Sequence, residues 1–277
     1  MKNLILDLIQ RFNKDDVPAL AYQLAYKLVL SFFPFIIFLM TIIGYTSLNK
    51  LEILIGLSNL IPQEIYNLIK YTVIELNNAK SGSILSLSLI FTLWSASSGF
   101  NGVIKGINKA YGVKESRSYI KVRVISLLCT LGMVFVIIIM GILLVLGNVI
   151  WRALTYNFSI LAKLTSLWLL LRYTIVVFTA IFIFTALYTY APSKRLNFWE
   201  AIPGSLFSTL GLASVSIAFS FYVNNFGRYS VVYGSIGAVL ILLLWLFFVS
   251  NIIILGGELN ASLVSLHTVT KGNDLNL

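Results

Sequence analysis

The chain contains one cysteine and one histidine. That excludes a disulfide framework and zinc sites of the Cys/His-cluster kind. Charge is scarce as well: Asp, Glu, Lys and Arg make up 11% of residues, against about 25% in an average soluble domain. Acid is the scarcer sign, with 10 Asp and Glu against 20 Lys and Arg and a net charge of +10. What is abundant is apolar surface, at 58% hydrophobic residues. A soluble globule of 277 residues could not hide so much of it. Much of the solvent must therefore be lipid.

A bilayer core about 30 Å thick takes about 20 helical residues to cross. Six apolar stretches approach that length: Leu28–Leu48, Ile84–Phe100, Val124–Ile150, Leu164–Tyr190, Ile202–Val223 and Ile236–Leu255. Runs such as Val134 to Ile139 are apolar on every side, which excludes the period-two alternation of a barrel strand. The expected fold is all-α: a single polytopic domain over 1–277 with six transmembrane helices and additional interfacial helices. Pro34 removes a backbone hydrogen bond inside the first stretch, and a kink is expected there. Arg172 in the fourth stretch moves the expected start of its lipid-facing part to about Tyr173.

The N-terminal segment reads as an amphipathic arm over 1–17 rather than a signal peptide, because Asp7, Asp15 and Asp16 interrupt any apolar core. Leu4, Ile5, Leu8, Ile9 and Phe12 form one helical stripe, suited to lying in the headgroup plane. Asp15 and Asp16 before Pro18 mark the start of a second helix. The connection 49–82 carries a further stripe of Ile65, Leu68, Ile69, Val73 and Leu76, expected on the extracytoplasmic side. A short tail is expected at 268–277.

Basic residues sort unevenly across this topology. The arm (Lys2, Arg11, Lys14, Lys27), the second connection (Lys105 to Arg123), Lys194, Arg195 and Lys271 put thirteen on one side, against seven on the other. Excess Lys and Arg mark the cytoplasmic face, so both termini are expected inside. The positive charge then reflects this bias and attraction to anionic membrane lipids, and no nucleic acid partner is expected.

Catalysis finds no support. The ten acids are scattered, the one histidine is His267, and no base is placed beside a serine. No cofactor and no metal site are expected. No nucleotide-binding loop is present, so active transport would draw on a gradient or a partner. The remaining candidates are polar residues within or at the ends of the spans: Gln23, Lys27, Trp94, Ser97, Asn101, Glu258 and Asn260. Lys27 reads as a snorkelling side chain or as the partner of Glu258. Glu258 in turn reads as half of a structural ion pair or as part of a solute path. Two strips of small residues, Gly99-Gly102-Gly106 and Gly204-Ser208-Gly211, read as packing surfaces rather than substrate grooves.

Several blocks resemble the YihY/BrkB family of bacterial inner-membrane proteins. They are Leu93-Trp94-Ser95-Ala96-Ser97-Ser98-Gly99 with Asn108-Lys109-Ala110-Tyr111-Gly112-Val113, then Tyr222 to Ser230 and Tyr233 to Val239. Ala19 to Pro34, Leu244-Trp245-Leu246 and Leu255-Gly256-Gly257-Glu258-Leu259-Asn260 complete the match. Lys27 stands where family members commonly have an apolar or aromatic residue. The resemblance implies a six-span protein of the cytoplasmic membrane. The family has carried a ribonuclease label, which conflicts with the residue inventory above, and members are suggested to move lipids or other solutes. The expected function is therefore transport-like handling of a lipid or small solute. A structural role in the cell envelope is the alternative.

Overall fold

A computed structural model of the protein describes residues 2–44, 66–67, 70–71, 84–157, 164–226 and 235–274. Seven helices of 13 residues or more account for nearly all of them: α1 (Lys2–Lys14), α2 (Val17–Gly44), α3 (Ile84–Ala110), α4 (Tyr119–Asn157), α5 (Thr165–Tyr190), α6 (Phe198–Phe226) and α7 (Ser235–Asp274). Among the described residues there is no strand. The described parts of the six apolar stretches fall on α2 to α7, and residues 45–48 of the first lie outside the described residues. Four helices, α4 to α7, are long and apolar enough to cross a membrane among the described residues. The apolar part of α4 starts at Tyr119 rather than Val124, and that of α7 reaches Leu266 rather than Leu255. Residues 66–67 and 70–71 are helical, and the rest of the 49–82 connection lies outside the described residues.

Local chemistry sets the helix boundaries. At the α1–α2 turn Asp16 takes a φ of 52°, a left-handed conformation that a short polar side chain tolerates. Val17 then opens α2 with Pro18 in its first turn, where the missing N–H is harmless. The helix runs unbroken through Pro34. α3 ends where Gly112 adopts a φ of 63°. There the amides of Gly112 and Val113 donate back to the carbonyls of Lys109 and Asn108, each at 2.9 Å.

The centre of the bundle is the junction of α2, α3 and α7, which pack against one another. Val17, Ala21 and Leu24 meet Val103, Ile104 and Ile107 there, with Ile253 and Ile254. α6 lies against α7 and α5, and α4 against α3. α4 and α5 meet through a stacked pair, Trp151 on Trp168, with ring centres 5.0 Å apart. α5 is the peripheral helix, with 6% of its span buried against 39% for α7.

Both small-residue strips are packing surfaces, as their spacing suggests. Gly99 and Gly102 receive Ser31, Leu28, Leu24 and Lys27 of α2, and Gly106 receives Ile254 of α7. On α6, Gly211 receives Ile252. The closest approach is Gly204 against Gly256, where a methyl on Gly204 would strike the Gly256 carbonyl oxygen. A methyl on Gly256 would strike Ser208 Oγ and the Tyr188 hydroxyl. Small residues allow this contact because membrane helices associate through close backbone packing rather than a hydrophobic drive.

Thermal unfolding in detergent tests the crossing. Gly256→Val is expected to cost about 1–3 kcal/mol by overpacking. Gly132→Ala, which meets open space within 4 Å, is expected to be neutral or stabilising by up to about 1 kcal/mol, the propensity difference between glycine and alanine.

Candidate functional site

Buried polar groups gather at one end of the bundle, where α1, the C-terminal end of α3, the start of α4, the α5–α6 connection and the second half of α7 come together. Glu258 on α7 is 0% exposed, and neither carboxylate oxygen has a hydrogen-bond partner. Its ion pair among the described residues is with Arg11 of α1, with Nη1 3.8 Å from Oε2. Arg11 also bonds Asp7 through Nε at 2.9 Å. The Ser262 hydroxyl donates to Asp7 at 2.5 Å and, as the largest cause, holds that carboxyl below its ordinary range. The arm therefore turns its charged edge toward α7. Phe12 packs on the core while Ile5 and Ile9 stay exposed. This departs from a stripe of five apolar residues all directed at lipid, because the Glu258 carboxylate offers Arg11 more than water does.

Lys27 is not the cation at Glu258. It is half-buried against Gly102 of α3, with Gln23 exposed one turn away on α2. Position in the sequence aligned Lys27 with Glu258, but Lys27 packs at Gly102 while Gly257 packs at Ala110, eight residues further along α3, and Glu258 turns toward α1.

Asn260 is 0% exposed and faces α6. Its Oδ1 accepts from the Gly204 amide at 2.7 Å and its Nδ2 donates to the Ala201 carbonyl at 3.2 Å. One turn along, the Tyr188 hydroxyl lies 2.6 Å from Ser208 Oγ and donates to the Ile253 carbonyl at 2.7 Å. Asn260 thus acts as a lock between α6 and α7, and Tyr188 brings α5 into it.

Trp94, Ser97 and Asn101 share the face of α3 opposite the glycine strip, and Trp94 faces α4. The Ser97 hydroxyl donates to the Trp94 carbonyl at 2.8 Å, and Asn101 Oδ1 is buried with no hydrogen-bond partner. Arg123 of α4 lies over the Trp94 ring, 3.9 Å from its centre, and donates through Nη2 to the same carbonyl. The seven candidate residues therefore have separate surroundings: one group on α3 facing α4, Glu258 facing α1, Asn260 facing α6, and Gln23 and Lys27 on α2.

Sequence reasoning missed a clasp that joins two connections at this end. Asn108 Nδ2 donates to Glu115 at 2.8 Å, and its Oδ1 accepts from the Ser193 amide at 2.8 Å. Arg117 forks onto both Glu115 oxygens and also donates to the Ala191 carbonyl, each at 2.8 Å. The Arg117 hydrogen bond, the largest cause, holds the Glu115 carboxyl down at about 2. The spacing of Glu115 and Arg117 hints at their pairing, but nothing local links them to residues so far along the chain. Among the described residues no group of three or more His, Cys, Asp or Glu could hold a metal ion.

Residues 8–274 match the family model described as Virulence factor BrkB. A Bacillus subtilis protein named putative ribonuclease-like protein YfkH is 36% identical, over 94% of this chain and 95% of its own length. A UPF0761 membrane protein of Pseudoalteromonas atlantica is 26% identical over 96% of this chain and 87% of its own. One from Alteromonas mediterranea is 25% identical over 95% and 88%. No solved structure matches the chain.

Two outcomes follow from this geometry. Arg11→Ala leaves Glu258 buried without its cation and is expected to lower stability by about 3 kcal/mol. Adding Glu258→Gln is expected to restore most of it, so a double-mutant cycle in thermal unfolding should show strong coupling. The second concerns pH. A depressed carboxyl stabilises the fold above its unfolded value, near 4.5, and that contribution is lost as pH falls toward about 2. Hydrogen exchange across 111–118 should therefore stay slow from neutral pH down to about 4.5 and quicken, after correction for intrinsic rates, only below it. Glu115→Gln should quicken it at pH 7.

Proposed function

The chain belongs to the BrkB family, whose UPF0761 relatives are membrane proteins, and on that premise we propose that it is a six-span protein that handles a lipid or small solute. The observation that carries this reading is the fully buried Glu258 carboxylate, whose oxygens lack hydrogen bonds and whose ion pair comes from a separate helix. Desolvating a carboxylate costs several kcal/mol after relaxation. An ionisable group kept at such cost within a membrane helix is by default a candidate for a substrate or proton path. The arm that supplies Arg11 is a 13-residue helix held to α7 through Arg11 and Asp7.

The proposed orientation has both termini in the cytoplasm of a bacterial cell and α2 to α7 crossing its inner membrane. The thirteen-to-seven bias of basic residues supports it. So does the meeting of α1, the 111–118 connection and the 191–197 connection at one end, through Asp15–Lys109, Asn108–Ser193 and Arg117–Ala191.

The ribonuclease word in the Bacillus relative's name has no counterpart in the chemistry of the described residues. RNA hydrolysis needs a metal-holding carboxylate cluster or a histidine base. These acids at this end are each engaged by a base: Glu115 by Arg117, Asp15 by Lys109, and Asp7 and Glu258 jointly by Arg11. A second reading, an envelope scaffold, draws on the broad exposure of α5, where Leu170, Tyr173, Phe178 and Phe182 face outward.

Reconstitution decides between the two. Liposomes carrying the protein are expected to pass fluorescent lipids or small solutes across the bilayer faster than empty ones. Glu258→Gln should change that rate by about tenfold, the effect of about 1.4 kcal/mol. Correctly inserted protein that moves neither class would overturn transport and favour the scaffold.

A further inference from the structure

We propose that the Arg123–Trp94 pair, between the middle of α3 and the start of α4, binds the phosphate-bearing headgroup of an anionic phospholipid. Arg123 sits at the start of the apolar stretch Tyr119–Val136 and is 7% exposed. Its guanidinium rests on the Trp94 ring and uses Nη2 on the Trp94 carbonyl, while the buried Nε–H has no hydrogen-bond partner. Among the described residues Arg123 makes no ion pair within 4.0 Å, whereas Arg11 and Arg117 each have a carboxylate. A buried guanidinium without an anion is costly. Its planar fork matches a phosphate in two-point hydrogen bonding.

The surroundings select an amphiphile rather than a free ion. On α4, Arg123 stands at the border between a buried stripe (Val122, Ser126, Thr130) and an exposed apolar one (Ile120, Val124, Leu128). The Trp94 ring is half exposed beside it. A lipid whose phosphate reaches Arg123 would lay its acyl chains along Ile120, Val124 and Leu128. The inference rests on the reading above only for the leaflet, and headgroup binding here does not require that the lipid be transported.

The test is equilibrium binding in neutral detergent, using phosphatidylglycerol, phosphatidylcholine and inorganic phosphate as probes and native mass spectrometry or lipid-dependent thermal shift as readout. Wild-type protein is expected to hold phosphatidylglycerol at least about tenfold more tightly than phosphatidylcholine, the effect of one strong charged contact. Arg123→Gln should erase that preference. Trp94→Leu, at a half-exposed position that should fold whatever becomes of the first variant, should weaken it several-fold. Lys121→Gln, an exposed cation two residues before Arg123 on another face of α4, should leave it intact. A preference that survives Arg123→Gln and Trp94→Leu, or that falls equally with Lys121→Gln, would overturn the site. Inorganic phosphate displacing the lipid at millimolar concentration would overturn the choice of ligand. Phosphatidylglycerol held at Arg123 by a protein that moves nothing would leave this site standing and remove transport alone.

Discussion

The contact on which this bundle depends is the backbone approach of α6 and α7 at Gly204 and Gly256. In lipid there is no gain from squeezing apolar surfaces together, so helices adhere through close packing and through polar bonds between them. The missing side chains at this crossing supply the first. They also bring Asn260 within reach of the Gly204 amide and the Ala201 carbonyl, and Ser208 within reach of Tyr188. With α7 held in that rotation about α6, its other faces are assigned: Ile254 and Gly257 to α3, and Glu258 with Ser262 to α1.

The same rotation sets a contrast between two kinds of buried polar group. Tyr188, Ser208 and Asn260 have their hydrogen bonds made inside the protein, which suits a structural lock. Glu258 and Arg123 do not: one has a single cation without a hydrogen bond, the other an aromatic face and a carbonyl. Incompletely satisfied groups of this sort cost stability.

Much of the frame could be read from residue order. The apolar stretches fell on α2 to α7 because a span is a one-dimensional property, legible from length and composition. The small-residue strips were legible as packing faces because spacing alone defines a helical face. The contacts across those faces were less so. Lys27 packs at Gly102 of α3 whereas Gly257 packs at Ala110, and the cation at Glu258 is Arg11, some 250 residues away along the chain. The Asn108–Glu115–Arg117 clasp on Ala191 and Ser193 was hidden for a like reason, since its two halves lie in different connections. Arg123 counted only toward the basic excess on one side. Its burial beneath Trp94 follows from how deeply α4 begins beside α3.

Residue order by itself determined an all-helical chain for an apolar solvent, poor in catalytic groups and rich in basic over acidic residues. Those properties follow from hydrophobic content, helical period and charge counting, each a local or summed quantity. Only tertiary structure decided which polar residues meet: Glu258 with Arg11, Asn260 with Gly204, Arg123 with Trp94. Each pairing depends on the rotation of one helix against another, fixed by the packing of small and large side chains between helices distant in sequence, or, for Trp94 and Arg123, by how far α4 runs back along α3.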